Sequence, residues 1–267
     1  MAVGYNNIDL ATATSLGIPV SNTPGVLTDT TADLTWALLL ALARRIPEAE
    51  QYLRAGQYRI WGPDLFLGAD LSPGGSGRRK TLGIIGYGRI GRAVARRASG
   101  FAMRVLACSL EREEIEASAD VEWADLDTLL AESDFVTLHA PFSPETRHLI
   151  DERALRSMKP GAYLINVARG ELVHEHALVR ALQEGWIAGA ALDVYEHEPA
   201  LAAGLAACRN AVLVPHIGSA STDTRDRMAE MAARNALAHL RGEPAPNAVN
   251  PAVYAGQPYH SRRGSGG

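Results

Sequence analysis

The chain has 267 residues, 47% hydrophobic and 21% charged, with a formal net charge of −4. That is the balance of a globular protein with a sizeable core, and it gives no electrostatic case for nucleic acid or a membrane surface. The longest apolar run, Trp36–Ala43, is too short to span a bilayer, and the first residues carry no basic, apolar and small-residue leader. Nothing suggests that Cys108 and Cys208 pair, so a reducing cytoplasm is the expected setting.

Asn7–Leu16 reads as a short helix stopped by Gly17, followed by a short strand at Ile18–Val20 and a turn at Asn22–Gly25. A long helical pattern runs from Thr30 to Ala55, with Leu34, Ala37, Leu38, Ala41 and Leu42 at helical spacing. Pro47 should kink or divide it. Leu39 and Leu40 make it apolar on several faces, which predicts burial on more than one side and supports a homodimer. Arg59–Gly77 reads as a surface connection. From Lys80 onward strands and helices alternate. The strands are Thr81–Ile85, Met103–Cys108, Phe135–His139, Ala162–Val167, Ala190–Val194 and Val212–Val214. The helices between them include Leu126–Ala131, Glu152–Ser157 and Glu175–Gln183. This order predicts an α/β fold, a doubly wound parallel sheet of the Rossmann type. A last helix, Thr224–Arg241, stops at Gly242, and a Pro-rich strap and a Ser/Gly tail follow.

Gly86, Gly88 and Gly91 lie between the Thr81–Ile85 strand and a helix whose apolar stripe is Ile90, Val94, Ala95 and Ala98. In that setting the first glycine permits the tight turn. The second admits a pyrophosphate, and the third lets the helix pack on the strand. The helix N-terminus completes an anion site. Ligands of such sheets bind beyond the C-terminal strand ends, where Arg169, Glu198 and His216 follow three successive strands. An arginine can grip a carboxylate through paired hydrogen bonds, an imidazole can move a proton at a carbinol oxygen, and a carboxylate can orient that imidazole. The trio suits chemistry on a carbonyl acid.

Seven stretches in the same order carry a resemblance: Val3–Asp9, Asn22–Asp29, Gly86–Gly91, His139–Pro141, Asn166–Gly170, Asp193–Pro199 and Pro215–Ser219. With these the chain resembles the D-isomer-specific 2-hydroxyacid dehydrogenases, closest to their glyoxylate/hydroxypyruvate reductase branch. The resemblance implies that Arg169 binds the substrate's carboxylate and carbonyl, that His216 is the acid/base, and that Glu198 is its partner. It implies that Asp193 holds the nicotinamide amide and that Val3 and Gly4 offer backbone N–H groups to the substrate. It places Thr28, Arg89, Ile90, His139, Pro141, Thr146, Val167 and Gly218 along the cofactor, and Trp61 at the substrate pocket. No metal is implied.

In the family the Val-Gly motif lies well inside a flavodoxin-like substrate domain. The expected organisation is therefore a remnant of that domain at residues 1–26, a dinucleotide-binding domain at 27–221, and a C-terminal helix and strap at 222–267 returning to the substrate domain. Such a chain resembles an N-terminally truncated relative, with Val3 and Gly4 left loose. Where a carboxylate at the end of the second strand would select NAD, this chain has Ser109, with Arg112 nearby. That favours NADP and leaves NAD possible. The expected activity is hydride transfer between NAD(P)H and a small 2-oxo acid such as glyoxylate or hydroxypyruvate. The alternative is an inactive truncated nucleotide-binding protein or a corepressor-like scaffold.

Overall fold

The computed structural model describes residues 2–74, 77–110 and 112–255. The chain divides into two compact units, residues 1–30 with 219–267, and residues 31–218.

The larger unit is built on a seven-stranded sheet: β1 (Thr81–Ile85), β2 (Arg104–Cys108), β3 (Glu122–Trp123), β4 (Phe135–Leu138), β5 (Tyr163–Asn166), β6 (Gly189–Leu192) and β7 (Ala211–Leu213). Their spatial order is β3-β2-β1-β4-β5-β6-β7, every neighbouring pair parallel. The doubly wound reading from sequence therefore holds, with the order reversing between β1 and β4. β3 went unread because two residues beside an irregular stretch carry no periodic signal; it is an edge strand paired only to Leu106 and Ala107.

Alternation along the strands sends side chains into two apolar layers. Leu164, Ala190 and Leu192 face one layer, with Leu129 and Leu130 of α6 (Leu126–Glu132), Leu155 of α7 (Glu152–Ser157) and Leu178 of α8 (Glu175–Glu184). Ile165, Ala191, Leu82 and Ile84 face the other, with Trp36, Leu38 and Leu39 of α2 (Thr28–Ala43) and Val94 and Ala98 of α4 (Arg89–Ala98). Asp125, Asp151 and His174 each cap the helix that follows them, through Thr128, Ala154 and Ala177 N–H groups.

The long Thr30–Ala55 pattern divides into α2 and α3 (Ile46–Arg54). The break falls at Arg44 and Arg45, ahead of Pro47, because the proline ring excludes the carbonyl four residues back from a continuous helix. Arg45 takes the left-handed conformation there, with φ of 53°. The breadth of apolar surface on α2 is largely used inside the chain, since Leu38, Leu39 and Leu42 are all buried.

The smaller unit holds α1 (Leu10–Ser15), capped by Asp9, and α9 (Thr222–Arg241), ended by Gly242 at φ of 76°. Ile18–Val20 is not a strand. Pro19 has no N–H to give a ladder, and the segment is held instead by Asn250, whose side chain accepts from Val20 N–H at 2.8 Å and donates to Ile18 carbonyl at 3.0 Å. The Ser/Gly tail lies outside the described residues.

Leu39 is fully buried between α2 and the sheet. Leu39→Ala should lower unfolding free energy by about 2–5 kcal/mol, read from urea denaturation of the two forms.

Candidate active site

The sheet's C-terminal edge gathers the residues read from sequence. At the reversal point Gly86 has φ of 92°, and a Cβ there would stand 2.4 Å from Ala140 N and 2.7 Å from the His139 carbonyl carbon. A Cβ on Gly91 would stand 2.2 Å from the Gly86 carbonyl oxygen, so the third glycine lets α4 lie against the loop. Gly88, the N-cap of α4, would meet nothing within 4 Å, and no side chain caps the helix there. Two glycines thus permit backbone approach, and the third leaves open space before a helix N-terminus.

Around this opening, Val167 is buried, and Thr146 folds the Pro141–Thr146 turn by accepting from Ser143 N–H at 2.7 Å and donating to Pro141 carbonyl at 3.0 Å. Both ring nitrogens of His139 are buried without a hydrogen-bond partner, and burial pushes its pKa down to about 3. The imidazole is therefore neutral, with a donor and an acceptor to offer. Ser109 follows β2. Arg112 lies over Trp123, its guanidinium carbon 4.0 Å from the ring centroid, and pairs with Glu116 at 2.6 Å. Trp123 is the partner of Ala107 across β2 and β3, which sets Arg112 beside the end of β2.

The ends of β6 and β7 are tied by Asp193. Its buried carboxylate accepts from Ile217 N–H at 2.6 Å and Gly218 N–H at 2.8 Å, while its carbonyl accepts from His216 N–H at 2.9 Å. Burial raises the Asp193 pKa, and the two amide bonds oppose that rise. His216 is held in the left-handed region, φ 53°. The Tyr195 hydroxyl, its pKa raised to about 12 by burial, donates to Val214 carbonyl at 2.9 Å. His216 Nδ1 lies 2.9 Å from Glu198 Oε2, and Glu198 Oε1 accepts from Tyr195 N–H at 3.1 Å. An ionised carboxylate only accepts, so Nδ1 carries the proton and Nε2 is the nitrogen turned to other business.

Arg169 stands at the end of β5, next to β6. Its turn is fixed by Asn166, whose side chain donates to Arg169 carbonyl at 2.8 Å and accepts from Ala168 N–H at 3.0 Å. The Arg169 guanidinium donates to Ala168 carbonyl at 2.6 Å. A Cβ on Gly170 would stand 1.9 Å from the Tyr195 carbonyl carbon, so the Arg169 turn packs directly on the segment leading to Glu198. The structure thus brings Arg169, Glu198, His216 and Asp193 to adjoining strand ends. It leaves Trp61 on an exposed stretch, 71% accessible, rather than against the core. Val3, Gly4 and Thr28 belong to the smaller unit. There the expectation of a loose Val3–Gly4 is corrected: Val3 carbonyl accepts from Asn22 Nδ2 at 2.9 Å and Ala2 carbonyl from Thr23 N–H at 2.9 Å. Sequence reasoning missed the supporting roles of Asn166, Gly170 and Tyr195. A buried-type amide closing an apolar strand is the one signal that pointed to Asn166.

A doubly wound nucleotide-binding sheet whose strand ends carry an arginine beside a carboxylate–imidazole pair defines a nicotinamide-dependent oxidoreductase acting on a small carbonyl or hydroxy acid. The open approach at Gly88 and the unpartnered buried nitrogens of His139 fit a dinucleotide. Residues 36–218 match the family model for the D-isomer specific 2-hydroxyacid dehydrogenase NAD-binding domain. The chain is 51% identical over 262 residues to a glyoxylate reductase of Thermococcus litoralis, covering 96% of this chain and 77% of that protein. Among solved structures it resembles a Thermus thermophilus protein with a TM-score of 0.84 and 48% identity, covering 93% of this chain and 76% of that one. It also resembles an NADPH-dependent glyoxylate/hydroxypyruvate reductase from Sinorhizobium meliloti solved with NADP and malonate. There the TM-score is 0.82 and the identity 35%, over 94% of this chain and 76% of that one. The chain belongs to the D-isomer specific 2-hydroxyacid dehydrogenase family and is an NAD(P)-dependent dehydrogenase of that family. No helix among the described residues is long and apolar enough to cross a membrane.

His139 makes acid stability a test of the site. Folded, its pKa is about 3; unfolded, it is about 6.5. Below pH 6.5 the unfolded chain takes up a proton that the folded chain refuses, so stability falls with pH down to about 3. By pH 5 this one group should cost about 2 kcal/mol. Urea titrations at pH 7.5 and pH 5 should show that component missing in His139→Leu.

Proposed function

We propose that this chain reduces a small 2-oxo acid, glyoxylate or hydroxypyruvate, to the D-2-hydroxy acid, with NADPH preferred to NADH. The observation that carries the reading is the 2.9 Å bond from His216 Nδ1 to Glu198, which sits on the segment packed against the Arg169 turn. The named activities of the relatives above support the substrate class.

In this reading Arg169 holds the substrate carboxylate, with its guanidinium fork also polarising the carbonyl. The nicotinamide, when bound, supplies the hydride. His216 donates the Nε2 proton to the carbonyl oxygen as it becomes a hydroxyl, and Glu198 holds the ring by Nδ1 and balances the imidazolium. Asp193 orients the cofactor's amide while keeping Ile217 and Gly218 in place. Gly86, Gly88, Arg89, Ile90 and Gly91 hold the pyrophosphate, and Thr28, His139, Pro141, Thr146, Val167 and Gly218 border the dinucleotide. Trp61 is assigned to the substrate pocket, and Val3 and Gly4 are assigned as backbone N–H donors to the substrate. The reductase activities named for the relatives favour the enzyme over the corepressor-like alternative.

The NADP preference rests on Ser109 in place of an acid and on Arg112, stacked on Trp123 beside it. A guanidinium stacked on an indole suits a 2′-phosphate, for which Arg112 would exchange its ion pair with Glu116. The homodimer reading rests on the exposed apolar residues of one stretch, Ile46, Leu53, Tyr58, Ile60, Trp61 and Leu67. Residues 1–26 and 222–267 belong, in this reading, to the substrate side. The setting is cytoplasmic.

His216→Ala should cut kcat for glyoxylate about a hundredfold to ten-thousandfold while nicotinamide-fluorescence titration gives unchanged cofactor affinity. Turnover as fast as the unaltered chain's would remove the acid/base assignment. Ser109→Asp should weaken NADPH binding about tenfold or more and tighten NADH. Equal and unchanged affinities would refute the role of that position.

A further inference from the structure

We propose that Glu196 and His148 form a positioning clamp for Glu198, so that the geometry of the acid/base pair is set from outside the pair; the proposal rests on the reading of Glu198 and His216 given above.

Glu196 stands two residues before Glu198, and its side chain is only 8% exposed. Its Oε1 lies 2.6 Å from His148 Nε2, with Arg147 Nη2 at 3.8 Å. The short distance marks a charge-assisted bond in which the imidazole donates. Glu196 Oε2 accepts from Glu175 N–H at 3.4 Å, at the N-terminus of α8. The bond is returned: Glu196 N–H donates to Glu175 Oε1 at 2.5 Å, and Ala202 N–H donates to Glu175 Oε2 at 3.0 Å. Glu175 is 3% exposed. The Glu175 carboxylate thus grips the Glu196–Ala202 segment from the start of α8, and the Glu196 carboxylate reaches back to the same helix end. The Glu175 N–H, at the positive end of α8, favours the ionised form of Glu196. His148 lowers the pKa of Glu196 against the opposing effect of burial.

His148 itself is held. It adopts φ of 50°, a conformation that a non-glycine residue keeps only when its surroundings enforce it. Its N–H donates to Glu171 carbonyl at 2.8 Å, and Ile150 and Val173 bridge in parallel two residues on. Glu171 follows Gly170, whose missing Cβ lets the Arg169 turn touch Tyr195. The clamp therefore links three segments, 147–150, 170–175 and 195–202, which lead to Arg169 on one side and Glu198 on the other. Its output is the spacing of Glu198 from His216. Neither Glu196 nor His148 touches the reacting atoms.

The test combines kinetics with the imidazole's own signal. Glu196→Gln keeps size and removes the charge; His148→Ala removes the donor, and His148→Gln restores one. With glyoxylate and NADPH, Glu196→Gln and His148→Ala should lower kcat about tenfold with KM changed less than about twofold, and His148→Gln should recover most of it. On a Glu198→Gln background the Glu196 substitution should cost less than about twofold more, because both act through one group. Independently of turnover, long-range ¹H–¹⁵N spectra of His216 at alkaline pH should show the Nδ1–H tautomer in the unaltered chain. In Glu196→Gln and His148→Ala the signal should shift toward Nε2–H while thermal melts stay cooperative. A shifted tautomer in a chain that reduces no 2-oxo acid would sink the proposed function and leave the clamp standing. An unshifted tautomer with unaltered kcat, or equal losses on both backgrounds, overturns the clamp.

Discussion

The carboxylate of Asp193 is the interaction on which the site depends. It leaves water almost completely, and burial alone would push it toward its neutral form. The N–H groups of Ile217 and Gly218 compensate, and in doing so they dictate where the chain goes after β7. His216 is forced into a left-handed backbone by that path, with its ring delivered to Glu198. His216 is thus aimed by backbone hydrogen bonds to a neighbouring strand. Its own side-chain packing contributes little, which suits a group whose ring must remain accessible.

The second constraint is steric. Parallel strands send their ends out at one edge, and the backbone there closes up at three points where a side chain has been deleted: Gly86 against Ala140, Gly91 against Gly86 of its own turn, and Gly170 against Tyr195. The first two frame the nucleotide end and the third joins the Arg169 turn to the Glu198 segment. The loops carrying Arg169 and Glu198 leave different strands, yet their approach is set by backbone-to-backbone contact with almost no freedom.

Much of this was legible in the sequence because it is periodic or punctuated. Six of seven strands announced themselves as short apolar runs, and the three glycines between β1 and α4 carried their own geometry. Arg169, Glu198 and His216 could be placed together from sequence because each follows a strand of a parallel sheet, and the structure sets them beyond the ends of β5, β6 and β7. What escaped reading was non-periodic or depended on partners distant in the chain. Two-residue β3 owes its existence to β2. Ile18–Val20 looked like a strand until Asn250, far along the chain, took its hydrogen bonds. Glu196 reads as one more charge in an acidic loop; only folding reveals that His148 and the start of α8 close around it.

The thin edge of the sheet has a consequence for how such a protein changes over generations. Trp123 sits on the outermost strand, two residues long with one neighbour, and Arg112 of the helix that precedes it stacks on the Trp123 ring. A side chain added at Gly170 would meet the backbone of Tyr195 and Glu196, and loss of the Asp193 carboxylate would leave the Ile217 and Gly218 N–H groups without that acceptor. Sequence change at the β3 edge is therefore structurally cheaper than change at the ends of β5 and β6. Variation in this fold should accordingly gather at that outer edge, while the turns that follow β5 and β6 stay fixed.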